Sequence, residues 1–257
     1  MHIELFSYRM ALMQYLFTTL FYAPLYNAII FFISVLPYHN VGVAVILFIC
    51  IIKVILFPLS AQSVKTQFEM KRLQPELDAI KLKYKDDKQQ QAEKTMQLYK
   101  QKGINPLSGV LLLLLQFPVI IALYYIIRNN SLLVLDTTVL YHFTKIPQAM
   151  STVFLGVSIF DKNIIFAILA AVTQFLQMQI TLPKVPVKKL EAGATPNFSD
   201  ELARSMNVQM KYVMPIIIFF IAEGFPIVVS LYLITSSLFA IGQELYIRKT
   251  MTPEPNR

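Results

Sequence analysis

Runs of about 20 apolar residues constrain this chain more than any other feature, because a helix needs that length to cross ~30 Å of hydrocarbon. Such runs occupy residues 41–60, 106–127, 163–182 and 225–246, with a shorter one at 210–222. They are too long and too continuous for barrel strands, which alternate polar and apolar residues. Hydrophobic residues make up 56% of the chain and the mean hydropathy is +0.55, whereas soluble domains are about 45–50% apolar. The chain reads as an all-α integral membrane protein.

The expected order begins with an N-terminal interfacial or amphipathic segment (1–40) and a first span (41–60). A helical hairpin (61–105), a second span (106–127) and an extracytoplasmic loop (128–162) follow. Then come a third span (163–182), a cytoplasmic loop (183–209), a fourth span (210–222), a fifth (225–246) and a tail (247–257). Five spans make a five-helix transmembrane bundle. Residues 10–36 carry no charge, but Pro24 splits them into two short halves, a kinked span or a pair of interfacial helices. Arg9 is offset by Glu4 and no small-residue cleavage site follows, so no cleaved signal peptide is expected. The tight Glu223–Gly224–Phe225–Pro226 turn makes the last two spans a hairpin. Tyr212 to Ala222 covers roughly 16 Å, so the bilayer must thin there or protein must hold the ends.

Charge assigns the sides. Eighteen of the 23 Lys and Arg lie in 61–106, in 183–211 and beyond 246, and four lie in the segments facing the other way. The positive-inside rule places the first group and the C-terminus in the cytoplasm and the N-terminus outside. In the hairpin, Phe68, Leu73, Leu77, Ile80 and Tyr84 form one apolar stripe, Asp86–Asp87 marks the turn, and Ala92, Met96 and Tyr99 face back before Gly103 and Pro106. This segment is a solvated helical pair or a docking surface for incoming chains, other proteins or anionic headgroups. The lone Cys50 excludes an intrachain disulfide and reads as a small buried hydrophobe.

Polar residues inside the spans carry the functional signal. Lys53 sits in VILFICIIKVILFPLS, where a central lysine costs ~2.5–3.5 kcal/mol, and each apolar neighbour returns roughly 0.3–0.6 kcal/mol. The span inserts despite the charge. Snorkelling towards the headgroups is the plain explanation, and a groove is the functional one. In the third run Gln174, Gln177 and Thr181 share a helical face with Thr173, while Gln116 precedes Pro118 in the second run. The fifth run carries Ser230, Thr235, Ser236 and Ser237, hydroxyls that also serve as glue between helices. The candidate substrate-binding groove is Lys53, Gln116, Thr173, Gln174, Gln177 and Ser236. Carboxylates occur in the spans only at the edges, Glu223 and Glu244, and His2, His39 and His142 lie on the outer side. With no metalloprotease, aspartate-pair, serine–histidine or P-loop arrangement, no catalytic residues, metal site or cofactor are expected, and the chain is not read as an enzyme. What remains is a cationic, amide-lined groove for something acidic or polar that passes into the membrane. A small-molecule or lipid transporter could use the same groove.

The stretches VILFICIIKVILFPLSAQSVK, LQPELDAIKLKYKDD, LYKQKGINPLSGVLLLLLQFPVIIALYYIIR and FPIVVSLYLITSSLFAIGQELYIRK resemble the YidC-type membrane protein insertases over about residues 20–250. That resemblance implies five core helices around a hydrophilic groove open to the cytoplasm and to lipid. It implies insertion of nascent membrane proteins in a bacterial plasma membrane, with the lipid bilayer, the Sec translocon and the ribosome as partners and no direct nucleic-acid contact. The family carries an arginine where this chain has Lys53, which keeps the charge and loses the bidentate guanidinium. Gln177 falls near the family's polar position in the third span.

Overall fold

The computed structural model describes residues 2–85, 87–105, 108–128, 135–147, 149–182, 205 and 208–251. Most of the 183–209 loop, Asp86, Pro106 and the tail after 251 lie outside the described residues. The chain is mostly helical: α1 His2–Phe17, a π-helical turn Thr18–Tyr22, α2 Ala23–Val35, α3 Val41–Ile55, α4 Phe57–Arg72, α5 Gln74–Lys83, α6 Lys88–Gln101 and α7 Ser108–Arg128. A two-stranded hairpin follows, β1 Val153–Phe154 and β2 Val157–Ser158, then α8 Ile164–Thr181, a π turn Gln209–Val213, α9 Met214–Gly224 and α10 Ile227–Met251.

Pro24 does not split the N-terminal segment. A proline inside a helix lacks the N–H that the preceding turn needs and crowds its carbonyl. Here the preceding turn, Thr18–Tyr22, opens to π geometry, and Pro24 sits in the first turn of α2, where no donor is required. Tyr8–Val35 is consequently long and apolar enough to cross a membrane, as are Ile164–Thr181 and Ile227–Thr250. Val41–Ile55 and Phe57–Met70 reach the required length and hydropathy only together, as a broken span or a re-entrant loop. By length and composition the described residues thus hold three to four candidate spans, and the described apolar part of α7, Gln116–Ile126, is shorter. The fourth run, 210–222, is helical throughout: the π turn Gln209–Val213 leads into α9, which ends at Gly224.

The chain forms two compact units. The first contains residues 1–54 and 116–241. Its core joins Tyr26, Ile29, Ile30 and Ile33 of α2 to Val41, Ala44 and Val45 of α3, to Ala122, Leu123 and Ile126 of α7, and to Ile227 and Val228 of α10. A second cluster unites Ala167 and Ala170 of α8 with Ala222 of α9; small side chains let two backbones approach closely where lipid offers no hydrophobic drive.

One end of this unit is closed by loops that hydrogen bonds fix. Asn27, 3% exposed, donates from Nδ2 to the carbonyls of Ala23 and Val139, both at 2.8 Å, and its Oδ1 accepts from the Tyr141 amide at 2.7 Å and the Thr144 hydroxyl at 2.8 Å. The Asp136 amide donates to the Tyr26 hydroxyl at 3.0 Å. Asn40 caps α3 by accepting from the Val43 amide at 3.1 Å and donates to the Val153 carbonyl at 2.7 Å. The Ile227 amide, at the start of α10, donates to the Asp161 carbonyl at 2.8 Å. Gly42 lets the β-hairpin approach α3: a Cβ there would lie 2.6 Å from Phe154 Cδ2.

The second unit contains residues 55–115 and 242–257. The sequence reading carries the first span to Ser60, but α3 ends at Ile55 and α4 starts at Phe57. Pro58 explains the break, since it cannot donate to the carbonyl four residues earlier and is at home in a helix's first turn. The first arm of the hairpin is itself divided at Leu73, with Pro75 opening α5. Leu73, Leu77 and Leu98 are its buried centre, with Ile80, Tyr99 and Ile104 against them. The expected return stripe is therefore rotated: Met96 is 48% exposed and Leu98 takes its place. Asp87 caps α6, accepting from the Gln90 amide at 2.9 Å.

Candidate functional site

Two polar pairs lie among the apolar helices of the first unit. Lys53 is half-buried in the last turn of α3 and donates from Nζ to Gln116 Oε1 on α7 at 3.2 Å. Lys53 is not mid-helix: α3 stops two residues beyond it. Its charge therefore sits at the pole of the helix that favours cations, a contribution of about 0.3–1 kcal/mol. Gln116 lies two residues ahead of Pro118, which is inside α7. Both residues are only partly covered, and a lysine in such a setting keeps its remaining donors for another acceptor.

The second pair joins α8 to α10: Ser237 donates to Gln174 Oε1 at 3.1 Å. Ser237 is 2% exposed and Gln174 half-buried. Gln177, one turn further along α8, and Ser236, beside Ser237, are also half-buried.

Thr173 plays a different part from its neighbours. It is 9% exposed, and its hydroxyl turns back to the Leu169 and Ala170 carbonyls at 2.9 and 3.0 Å. That satisfies the group within its own helix. Of the six sequence candidates, the geometry brings Lys53 to Gln116. It brings Gln174 to Ser237, a residue noted in the sequence only as glue.

Sequence reasoning missed two features. Tyr232 and Ser230 are buried in α10 at 3% and 1% exposure. The Ser230 hydroxyl has no hydrogen-bond partner among the described residues. In the second unit, Gln243 donates to the Ser60 hydroxyl in a close contact, and Glu244, 4% exposed, accepts from Arg248 Nε at 3.0 Å. The Arg248 guanidinium lies 5.5 Å from the centre of the Phe68 ring. The last turns of α10 are thereby fastened to α4. Glutamine and serine near an interfacial helix end carry little pattern of their own, which is why the sequence did not mark Gln243 and Ser60.

These two pairs present hydrogen-bond donors, a cation and amide groups. Residues 31–254 match the family described as 60Kd inner membrane protein. A protein named membrane protein insertase YidC from Fusobacterium nucleatum subsp. nucleatum is 33% identical over 213 residues, which is 82% of this chain and 87% of that protein. Proteins of the same name from Francisella tularensis subsp. novicida and subsp. tularensis are 31% identical over 211 residues, again 82% of this chain. This chain spans only 33% of the length of those two relatives.

Proposed function

The chain belongs to the 60Kd inner membrane protein family, the YidC/Oxa1 group, and from that premise we propose that it is a membrane protein insertase. The family and the apolar helices make it a multi-pass protein of a bacterial inner membrane. In this reading, nascent membrane proteins enter a hydrophilic, cationic groove lined by Lys53, Gln116, Gln174, Gln177 and Ser236. The groove opens to the cytoplasm and to lipid, and the client's apolar helix leaves it sideways. Burial of that helix in hydrocarbon supplies the driving force, so no nucleotide is consumed.

The observation that carries the reading is the half-buried Lys53–Gln116 pair inside the apolar helix layer. An ammonium at that depth attracts acidic residues of a client's translocated end. Its place in the last turn of α3 keeps the charge from blocking insertion of the protein itself. The basic 61–106 segment and the C-terminus face the cytoplasm in this proposal, and the loop-closed end of the first unit faces outward. The family resemblance alone brings in the Sec translocon and the ribosome as partners.

Reconstitution of purified protein in liposomes, with a small single-span client made in a translation extract, tests the reading. Lys53→Glu is expected to lose insertion and Lys53→Arg to retain it; equal loss from both removes the electrostatic role. Photocrosslinkers at 53 and 177 separate the rival reading, since capture of lipid or solute without any client supports a transporter.

A further inference from the structure

At the loop-closed end of the first unit, apolar side chains stand exposed where water would argue against them. Tyr38 is 89% exposed, Leu155 79%, Phe143 77%, Ile146 54% and Val153 52%. Two of these also sit on left-handed backbone, Tyr38 at φ 66 and Leu155 at φ 49. Leu155 and Gly156 (φ 83) are the two turn residues between β1 and β2. A turn with both residues at positive φ favours Asn–Gly or Asp–Gly. A leucine at the first position is disfavoured by its backbone, and it is disfavoured again if its side chain meets water. Asparagine would answer both objections. Tyr38 repeats the pattern in the short link between α2 and α3.

Both objections ease if the solvent is the headgroup region of the bilayer. Tyrosine is enriched there because it presents an apolar body and a polar tip. The exposed residues continue directly into apolar helices: Tyr38 lies three residues before α3, and the β-hairpin lies six residues before α8. These helices begin with exposed apolar side chains of their own, Val43 at 37%, Ile164 at 59% and Ile165 at 62%. Lys145 and Lys162 on the same loop are exposed cations, suited to lipid phosphates.

We propose that the 135–162 loop and the Tyr38 link are dipped into the interfacial layer of the leaflet on their side, with Phe143 and Leu155 as anchors. The occupant of this surface is phospholipid, not a second protein. The inference rests on membrane residence and not on the insertase reading, so insertion activity is not its readout.

The chain contains no tryptophan, so one introduced residue is a unique fluorophore. Full-length Tyr38→Trp, Phe143→Trp and Leu155→Trp, and Gln90→Trp on the exposed face of α6 as an aqueous control, are reconstituted in phosphatidylcholine–phosphatidylglycerol vesicles. The vesicles are made with and without lipid brominated near the carbonyl. Circular dichroism confirms matching helix content, and the conservative Tyr38 and Phe143 variants keep the test open if Leu155→Trp does not fold. The expected result is emission at shorter wavelength than the control, strong quenching by the brominated lipid and severalfold protection from aqueous iodide. Iodide quenching at Phe143→Trp equal to that at Gln90→Trp, with no response to brominated lipid, overturns the proposal.

Discussion

Lys53 Nζ donates to Gln116 Oε1 at 3.2 Å, linking the last turn of α3 to the middle of α7. The pair sets two demands against each other. A cation among apolar helices costs stability, while a groove that receives acidic segments needs it. Lys53→Leu is therefore expected to raise the thermal stability of the reconstituted protein by up to about 2 kcal/mol and to cut client insertion at least about tenfold, or ~1.4 kcal/mol. Thermal unfolding and client insertion, both measured on the protein in the same liposomes, read the two effects. Gln116→Leu is expected to cut insertion less, because the charge stays.

Asn27 satisfies four partners at once, three of them in the 135–147 loop. Asn27→Ala leaves the Tyr141 amide and the Val139 carbonyl without it. A buried unsatisfied group costs about 1–3 kcal/mol, so a loss of roughly 2–4 kcal/mol is expected. Limited proteolysis should find new cleavage within 135–147 before any helix is cut.

Gly42→Ala places a methyl 2.6 Å from Phe154 Cδ2 and 2.9 Å from its Cβ. Because the clash reaches the base of the side chain, ring rotation alone does not relieve it. The expected cost is about 1–3 kcal/mol. Adding Phe154→Ala should recover part of that cost, and a double-mutant cycle on thermal unfolding measures the recovery as the coupling.

Glu244 and Arg248 differ in burial, 5% and 39% exposed side chains, so their removal should differ too. Arg248→Ala strands a buried carboxylate and lifts the guanidinium off Phe68; about 3 kcal/mol of destabilisation is expected. The double replacement Glu244→Leu with Arg248→Leu is expected to lie within about 1 kcal/mol of the parent. Unfolding midpoints of the three proteins decide it.

The apolar runs were sufficient to read the helices from the sequence, since length and continuity are properties of the chain itself. Pro24 and Pro58 show the limit. Both interrupt an apolar stretch, yet one is absorbed by a π turn and the other ends a helix. Asn27 was unreadable because its loop partners lie 112 to 117 residues away. Thr173 shares a helical face with Gln177, but its hydroxyl bonds to its own helix backbone, an option threonine takes readily. Leu98 displaced Met96 in α6 because a helix with so few apolar residues leaves its inner face undetermined until the partner arm is in place.

Because Pro58 brings no N–H, the carbonyl of Val54 has lost its usual donor one residue past the ammonium of Lys53. Hydrocarbon offers a donor-less carbonyl and an ammonium nothing to pair with. The polar step beside Lys53 is therefore written into the backbone by Pro58 itself, whatever occupies its surroundings.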